Sequence, residues 1–162
     1  MRFKVVPPAP DSLDRVGTVH GAVPIVPDGE ESCCRRLMRD ADVPSQDEAK
    51  EWLTFCRALG LAEEGSRGYA RVRDVDTDGD ALAVRFRENV YAVEETLAVL
   101  ADADGPLSTA DVFDRLRDRV PAWERARSTD WAERWRERVD RILAWCVLFG
   151  LAEERDGGYV RA

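Results

Sequence analysis

A chain of 162 residues, 44% of them hydrophobic, holds enough material for one domain or for two small cores. Its formal net charge is −8, and of its 24 basic residues only Lys4 and Lys50 are lysine. The longest apolar run, residues 142 to 152, is too short to cross a bilayer, and a single histidine with no C-x-x-C leaves no zinc spacing.

In chain order, MRFKVVPPAP lacks the apolar region of a leader, so a reduced, cytoplasmic location is expected, with no membrane partner. RFKVV reads as a strand, DSLDRVG as a short helix, and VPIVP (23 to 27) as another short strand. Asp28 can cap a helix of about 29 to 41. Ser45-x-x-Glu48 is a capping box, opening a helix whose apolar face is Ala49, Trp52, Leu53, Cys56 and Leu59. LAEEGSRGYARV then forms a hairpin, and the acidic, turn-rich RDVDTDGD connects onward. Leu82, Phe86, Val90, Val93, Leu97 and Leu100 mark one helix over 80 to 102, stopped by ADADGP. Ser108-x-x-Asp111 caps a helix of about 109 to 119, with Pro121 just beyond it. Ser128 or Asp130 caps a third helix running to about 149, burying Trp131, Trp135, Val139, Ile142, Leu143, Cys146 and Phe149. Gly150 ends it, and LAEE, RDG and GYVRA make a second hairpin.

The two hairpins are written in nearly the same letters. With Gly60 set on Gly150, Leu61, Ala62, Glu63, Glu64, Gly68, Tyr69 and Arg71 fall on Leu151, Ala152, Glu153, Glu154, Gly158, Tyr159 and Arg161 without a gap. Leu53 and Cys56 fall on Leu143 and Cys146. An internal repeat of this density means two copies of one supersecondary unit. The first copy lacks a strong first helix and is expected to borrow one, from the 80 to 102 segment.

Helix, helix, helix, hairpin, with the join LFGLAEERDGGYVRA, resembles the winged helix-turn-helix superfamily. The resemblance implies an α+β, mostly helical fold of two tandem winged-helix units, each a helix bundle with a β-hairpin wing. The expected division is 1–74 for an abbreviated N-terminal unit, 75–80 for an acidic linker and 81–162 for the C-terminal unit. In this superfamily the N-terminal half of the third helix enters the major groove and the wing touches the backbone.

The first copy presents Gln46, Asp47, Glu48, Lys50 and Glu51 there, three acids against one base. The second copy carries nine arginines and six acids between Arg115 and Arg141, a local net charge of +3. The candidate contacts to double-stranded DNA are Arg125, Arg127, Arg134, Arg136, Arg138 and Arg141. The bland alternative is a helix laced with its own Arg–Glu pairs, such as Glu133 to Arg136 or Glu137 to Arg141. Trp123 and Trp131 are candidates for a partner or homodimer interface against a reading as plain core. The function expected is a DNA-binding protein of transcription-regulator type, the C-terminal copy reading and the N-terminal copy assembling. The competing reading is an interaction adaptor of the chromosome-organisation or transcription-complex type, using both units on protein.

Nothing in the sequence supports an enzyme or a cofactor. Cys56 and Cys146 lie on core faces far in sequence from His20. Asp74, Asp76, Asp78 and Gly79 match the first half of a calcium loop, but the twelfth position is Arg85. The acidic, lysine-poor composition resembles proteins of salt-loving, archaeal-like microbes, where hydrated carboxylates keep a surface soluble, although a GC-rich codon bias gives similar letters.

Overall fold

Ser45 and Ser108 each accept a hydrogen bond from the amide three residues on, Glu48 N and Asp111 N, both at 3.1 Å, and so open helices where the sequence placed them. The computed structural model describes residues 2–120, 122–127 and 129–162; the side chains of Arg119, Trp123, Glu124 and Arg127 lie outside that description. The chain divides into two compact units, Met1–Tyr91 and Ala92–Ala162. The segment read as the linker, 75–80, and the helix behind it therefore fall inside the first unit.

The first unit runs α1 (Asp14–Ala22), α2 (Glu30–Asp40), α3 (Gln46–Ala58), β1 (Ala62–Gly65), β2 (Gly68–Arg71) and α4 (Gly79–Asn89). Val16, Val19, Leu37, Trp52, Leu53, Phe55, Cys56, Leu59, Leu61 and Phe86 form its core. The expected strand over 23 to 27 does not form. Pro24 and Pro27 have no N–H to donate, and Ile25 and Val26 stand 50% and 75% exposed. Asp28, one residue later, makes the bridge instead, exchanging backbone hydrogen bonds with Tyr69 at 3.0 and 2.7 Å. Gly29, not Asp28, holds the N-cap position of α2; the Asp28 carboxylate accepts from Gly29 N at 2.8 Å and from Ser32 Oγ at 2.6 Å. RFKVV forms a parallel bridge, Phe3 to Val90, in place of the expected strand.

The expected helix over 80 to 102 is two helices. Val90 turns extended and Ala92 sits at φ +73°, between α4 and α5 (Val93–Asp102). The apolar spacing runs through the break because Val90 and Val93 are both buried, Val90 beside the Phe3 bridge. α4 serves the first unit. Arg85 Nε donates to the Leu59 carbonyl at 2.5 Å, and Asn89 Nδ2 donates to that of Ala58 at 2.8 Å. Phe86 meets Phe55 edge-on at 6.1 Å. The first unit thus does draw a helix from the 80 to 102 segment, to close over the end of α3.

The second unit runs α5, α6 (Thr109–Leu116), a 3₁₀ turn (Arg117–Arg119), α7 (Ala122–Arg127), α8 (Trp131–Leu148), β3 (Ala152–Arg155) and β4 (Gly158–Arg161). The stretch carrying Arg125 and Arg127, between the two expected helices, is the short helix α7. Asp130 holds the N-cap position of α8 without a side-chain cap bond, while Ser128 and Pro121 lie outside the described residues. Leu107, in GPLS, bridges to Tyr159 with backbone bonds of 3.0 and 2.8 Å, as Asp28 does to Tyr69.

The repeat is the structure. Cys56, Arg57, Gly60 and Leu61 close a Schellman motif: Gly60 takes φ +74°, its N–H reaches Arg57 O, and Leu61 N reaches Cys56 O at 2.8 Å. Gly150, at φ +73°, and Leu151, bonded to Cys146 O at 2.8 Å, repeat it. Both hairpins keep one register, Glu64↔Tyr69 and Glu154↔Tyr159, Ala62↔Arg71 and Ala152↔Arg161. These are two winged-helix units in tandem.

Candidate nucleic-acid interface

α8 buries Trp135, Val139, Ile142, Leu143, Trp145 and Cys146, and packs on α6 and β3. What remains outward is Glu133, Arg134, Arg136, Glu137 and Asp140, with Arg138 and Arg141 half-buried at the margin. Helical spacing puts Arg134, Arg138 and Arg141 on one stripe and Arg136 off it. Arg134 Nε lies 3.5 Å from Asp130, and Arg141 donates to Glu137 at 3.0 Å, one of the internal pairs expected from the sequence. The Arg138 guanidinium lies over the Trp135 ring at 4.6 Å, and that of Arg136 lies 5.7 Å from Phe113 on α6.

Before α8 the cations gather on aromatic rings. Trp131, half-buried at the first turn of α8, meets Phe113 at 6.2 Å. It carries the guanidiniums of Arg125 at 5.3 Å and Arg117 at 5.8 Å. Arg125 also donates to the Arg117 carbonyl, which ties α7 to the turn after α6. Arg127 and Trp123, the other two expected contacts of this stretch, have side chains outside the described residues.

The energetic standing of these partners differs. Exposed i,i+4 ion pairs such as Arg134–Asp130, with side chains 58% and 56% exposed, contribute only about 0.3–0.5 kcal/mol, so a phosphate can displace the acid. A guanidinium seated on an indole keeps its charge and most of its N–H donors, because the ring takes only one face. The same surface of α3 is different in sign: Asp47 and Lys50 are exposed and Glu48 and Glu51 half-exposed, three carboxylates to one ammonium.

The wings add one residue that the sequence reading passed over. Arg155 stands at the tip of the second wing, 3.3 Å from Glu153 and 60% exposed. Its signal was the turn RDGG, in which Asp156 and Gly157 both take positive φ, 51° and 77°, the two-residue turn that carries a strand directly back. In the first wing the exposed tip residue is Arg67, while Arg57 pairs with Glu64 at 3.3 Å.

The chemistry of the rest is packing. None of the four cysteines is in a disulfide, and all are buried. Burial pushes the Cys56 thiol up to about 12, far from a thiolate nucleophile. His20 Nε2 lies 2.8 Å from the Val72 carbonyl, which ties α1 to the end of the first wing. Among the described residues, no three His, Cys, Asp or Glu are grouped to hold a metal ion, and no helix is long and apolar enough to cross a membrane. Asp76 in the calcium-like stretch accepts the Asp78 amide at 2.9 Å as α4 begins.

Over residues 1–162 the chain matches the family model of the halobacterial double winged helix domain. The chain belongs to this family. The match spans the whole sequence and agrees with two hairpin registers set ninety residues apart. No curated protein and no solved structure matches it. A double winged helix domain suggests a DNA-binding or regulatory role.

Proposed function

We propose that this double winged-helix protein binds double-stranded DNA as a transcription regulator, the C-terminal unit reading the duplex and the N-terminal unit serving assembly. One observation supports the division above others. The two equivalent third helices face solvent with opposite charge, acidic on α3 and arginine-striped on α8. Arg134, Arg138 and Arg141 would meet phosphates along the groove, Arg136 its far side, and Arg125, Arg127 and the wing-tip Arg155 the flanking backbone. Trp131 holds Arg117 and Arg125 in place for that contact, and Trp123 is left to a partner surface. No catalytic role is assigned to any residue.

The test is fluorescence anisotropy with mixed-sequence duplexes across a range of salt. Arg134→Ala with Arg136→Ala removes two exposed cations and should abolish binding at moderate salt. Lys50→Ala, on α3, should leave it unchanged. Equal loss in both, or no binding at low salt by the unaltered chain, refutes the reading.

The adaptor reading keeps one observation in its favour. Arg125 and Arg138 are seated on tryptophan rings, and Arg141 is bonded to Glu137, which is how a protein-facing helix manages its cations. A stable protein partner together with absent duplex binding would select it.

A further inference from the structure

The internal repeat lets one unit serve as a measure of the other. Asp28 and Leu107 make equivalent bridges, to Tyr69 and Tyr159, so the residues before them can be matched. Pro27 falls on Pro106, Val26 on Gly105 and Ile25 on Asp104. Where the second unit has Asp-Gly, the first projects two branched apolar side chains into water, and Val26, 75% exposed, is the most exposed large apolar side chain among the described residues. The backbone fixes both ends of this projection. Arg71 N donates to the Pro24 carbonyl at 2.7 Å, and Asp28 and Tyr69 exchange hydrogen bonds on the other side. Flanked by prolines as well, the projection has little freedom to lose on docking. The wing beside it differs in the complementary sense. The hairpin registers set Gly65 and Ala70 where the second wing has Arg155 and Val160. A hollow of about 320 Å³ lies there, lined by Pro27, Gly65, Gly68 and Ala70, with Glu63 and Arg67 also on its wall. In the second wing Glu153 pairs with Arg155 at 3.3 Å; Glu63, its counterpart, has a glycine where that cation would stand.

We propose that two copies of the chain associate through this face, Ile25 and Val26 of each entering the hollow between Pro27 and the wing of the other. The proposal rests on the assembly role given to the first unit, and names its partner as a second copy. Projection and hollow share one face, because Pro27 lines the hollow and adjoins Val26. A two-fold axis then satisfies both at once and closes the contact, whereas the same features on opposite faces would build an open chain. Charge points to the same occupant. Glu63 and Arg67, both exposed, give the face both signs, and the two-fold rotation sets each carboxylate towards the other copy's guanidinium. A partner of one charge sign would leave one of them unmatched. Exposed pairs of this kind add little affinity, so the apolar contact carries the association. It should therefore persist in molar salt, which screens charges to within about 3 Å.

The test is sedimentation of the full-length protein in molar salt, without DNA, over a wide range of concentration. A reversible equilibrium between one copy and two is expected. Val26→Asp should weaken it by about thirtyfold or more, since the change enters a two-fold contact twice. Gly65→Arg writes the second wing's residue into the hollow, and should weaken it about tenfold. A Cβ on Gly65 meets nothing within 4 Å, so this variant keeps its fold and decides the matter if Val26→Asp does not. Val84→Ser, at a side chain 52% exposed on α4, should change nothing. A single copy at every concentration would overturn the proposal. So would a dimer indifferent to Val26→Asp and Gly65→Arg, one dissolved by Val84→Ser, or growth beyond two copies. Duplex binding, measured separately, tells this failure from that of the reader. A chain that stays single yet binds duplex loses the dimer and keeps the reader; one that pairs without binding duplex does the reverse.

Discussion

A Cβ built on Gly68 would stand 1.9 Å from the carbonyl oxygen of Asp28, and one on Gly158 would stand 2.9 Å from that of Leu107. Each wing's second strand therefore begins at a glycine because another backbone passes directly over it, the one that exchanges hydrogen bonds with Tyr69 or Tyr159. Gly68 also takes φ +110°, where side chains are strained regardless of space.

Gly68→Ala should destabilise the protein by about 1–3 kcal/mol from backbone strain, with the clash added. Gly158→Ala, whose glycine is not at positive φ, should cost less. Urea unfolding followed by circular dichroism measures both, and a neutral Gly68→Ala would refute the strain argument.

The α4 clamp yields a second expectation. Arg85→Ala removes a charged donor from the Leu59 carbonyl and uncovers Gly60, and should cost about 1.5–3 kcal/mol. Asn89→Ala, losing a neutral bond to Ala58, should cost about 1 kcal/mol. Hydrogen exchange at the amides of residues 56–61 should rise in both variants. Unchanged exchange there would mean that α4 is not what secures the end of α3.

Alkaline pH should weaken the first unit. Burial raises the Cys56 thiol to about 12 against a usual 9.0, and burial, followed by the hydrogen bond with Glu64, raises Tyr69 to about 12 against 10.0. Both groups hold their protons more firmly folded than unfolded. Their contribution is complete below about pH 9 and is lost as pH rises towards 12. Urea midpoints should fall across that window, and Cys56→Ala should make the fall shallower. A flat profile would contradict the burial of both groups.

Salt distinguishes phosphate contact from shape. If the wing tip touches the duplex, Arg155→Ala should lower the slope of log affinity against log salt by about one, while Arg67→Ala, on the other wing, should leave it unchanged. A chelator should leave both duplex binding and the melting temperature unaltered; a fall reversed by calcium would revive the Asp74–Asp76–Asp78 stretch as a site.

The sequence by itself determined the tandem units, their hairpins and most of their core positions, with Trp131 and Phe149, expected inside, standing half-buried instead. Gly60 and Leu61 recur at Gly150 and Leu151 because a helix that ends in a left-handed glycine is required by local backbone geometry, while Gly68 recurs at Gly158 because another chain segment passes closely over it. Local requirements are written locally, and so they are legible. Tertiary structure alone decided where the 80 to 102 segment breaks, since the apolar spacing from Val90 to Val93 is helical and neither Tyr91 nor Ala92 forbids a helix; the break comes with the bridge from Val90 to Phe3, from the far end of the unit. It decided the partners of the arginines as well. A guanidinium on a long flexible stem reaches an acid one turn away or a ring on another helix with similar ease, and only the placing of α6 and α7 beside α8 chose Trp131, Phe113 and Trp135 for Arg125, Arg136 and Arg138.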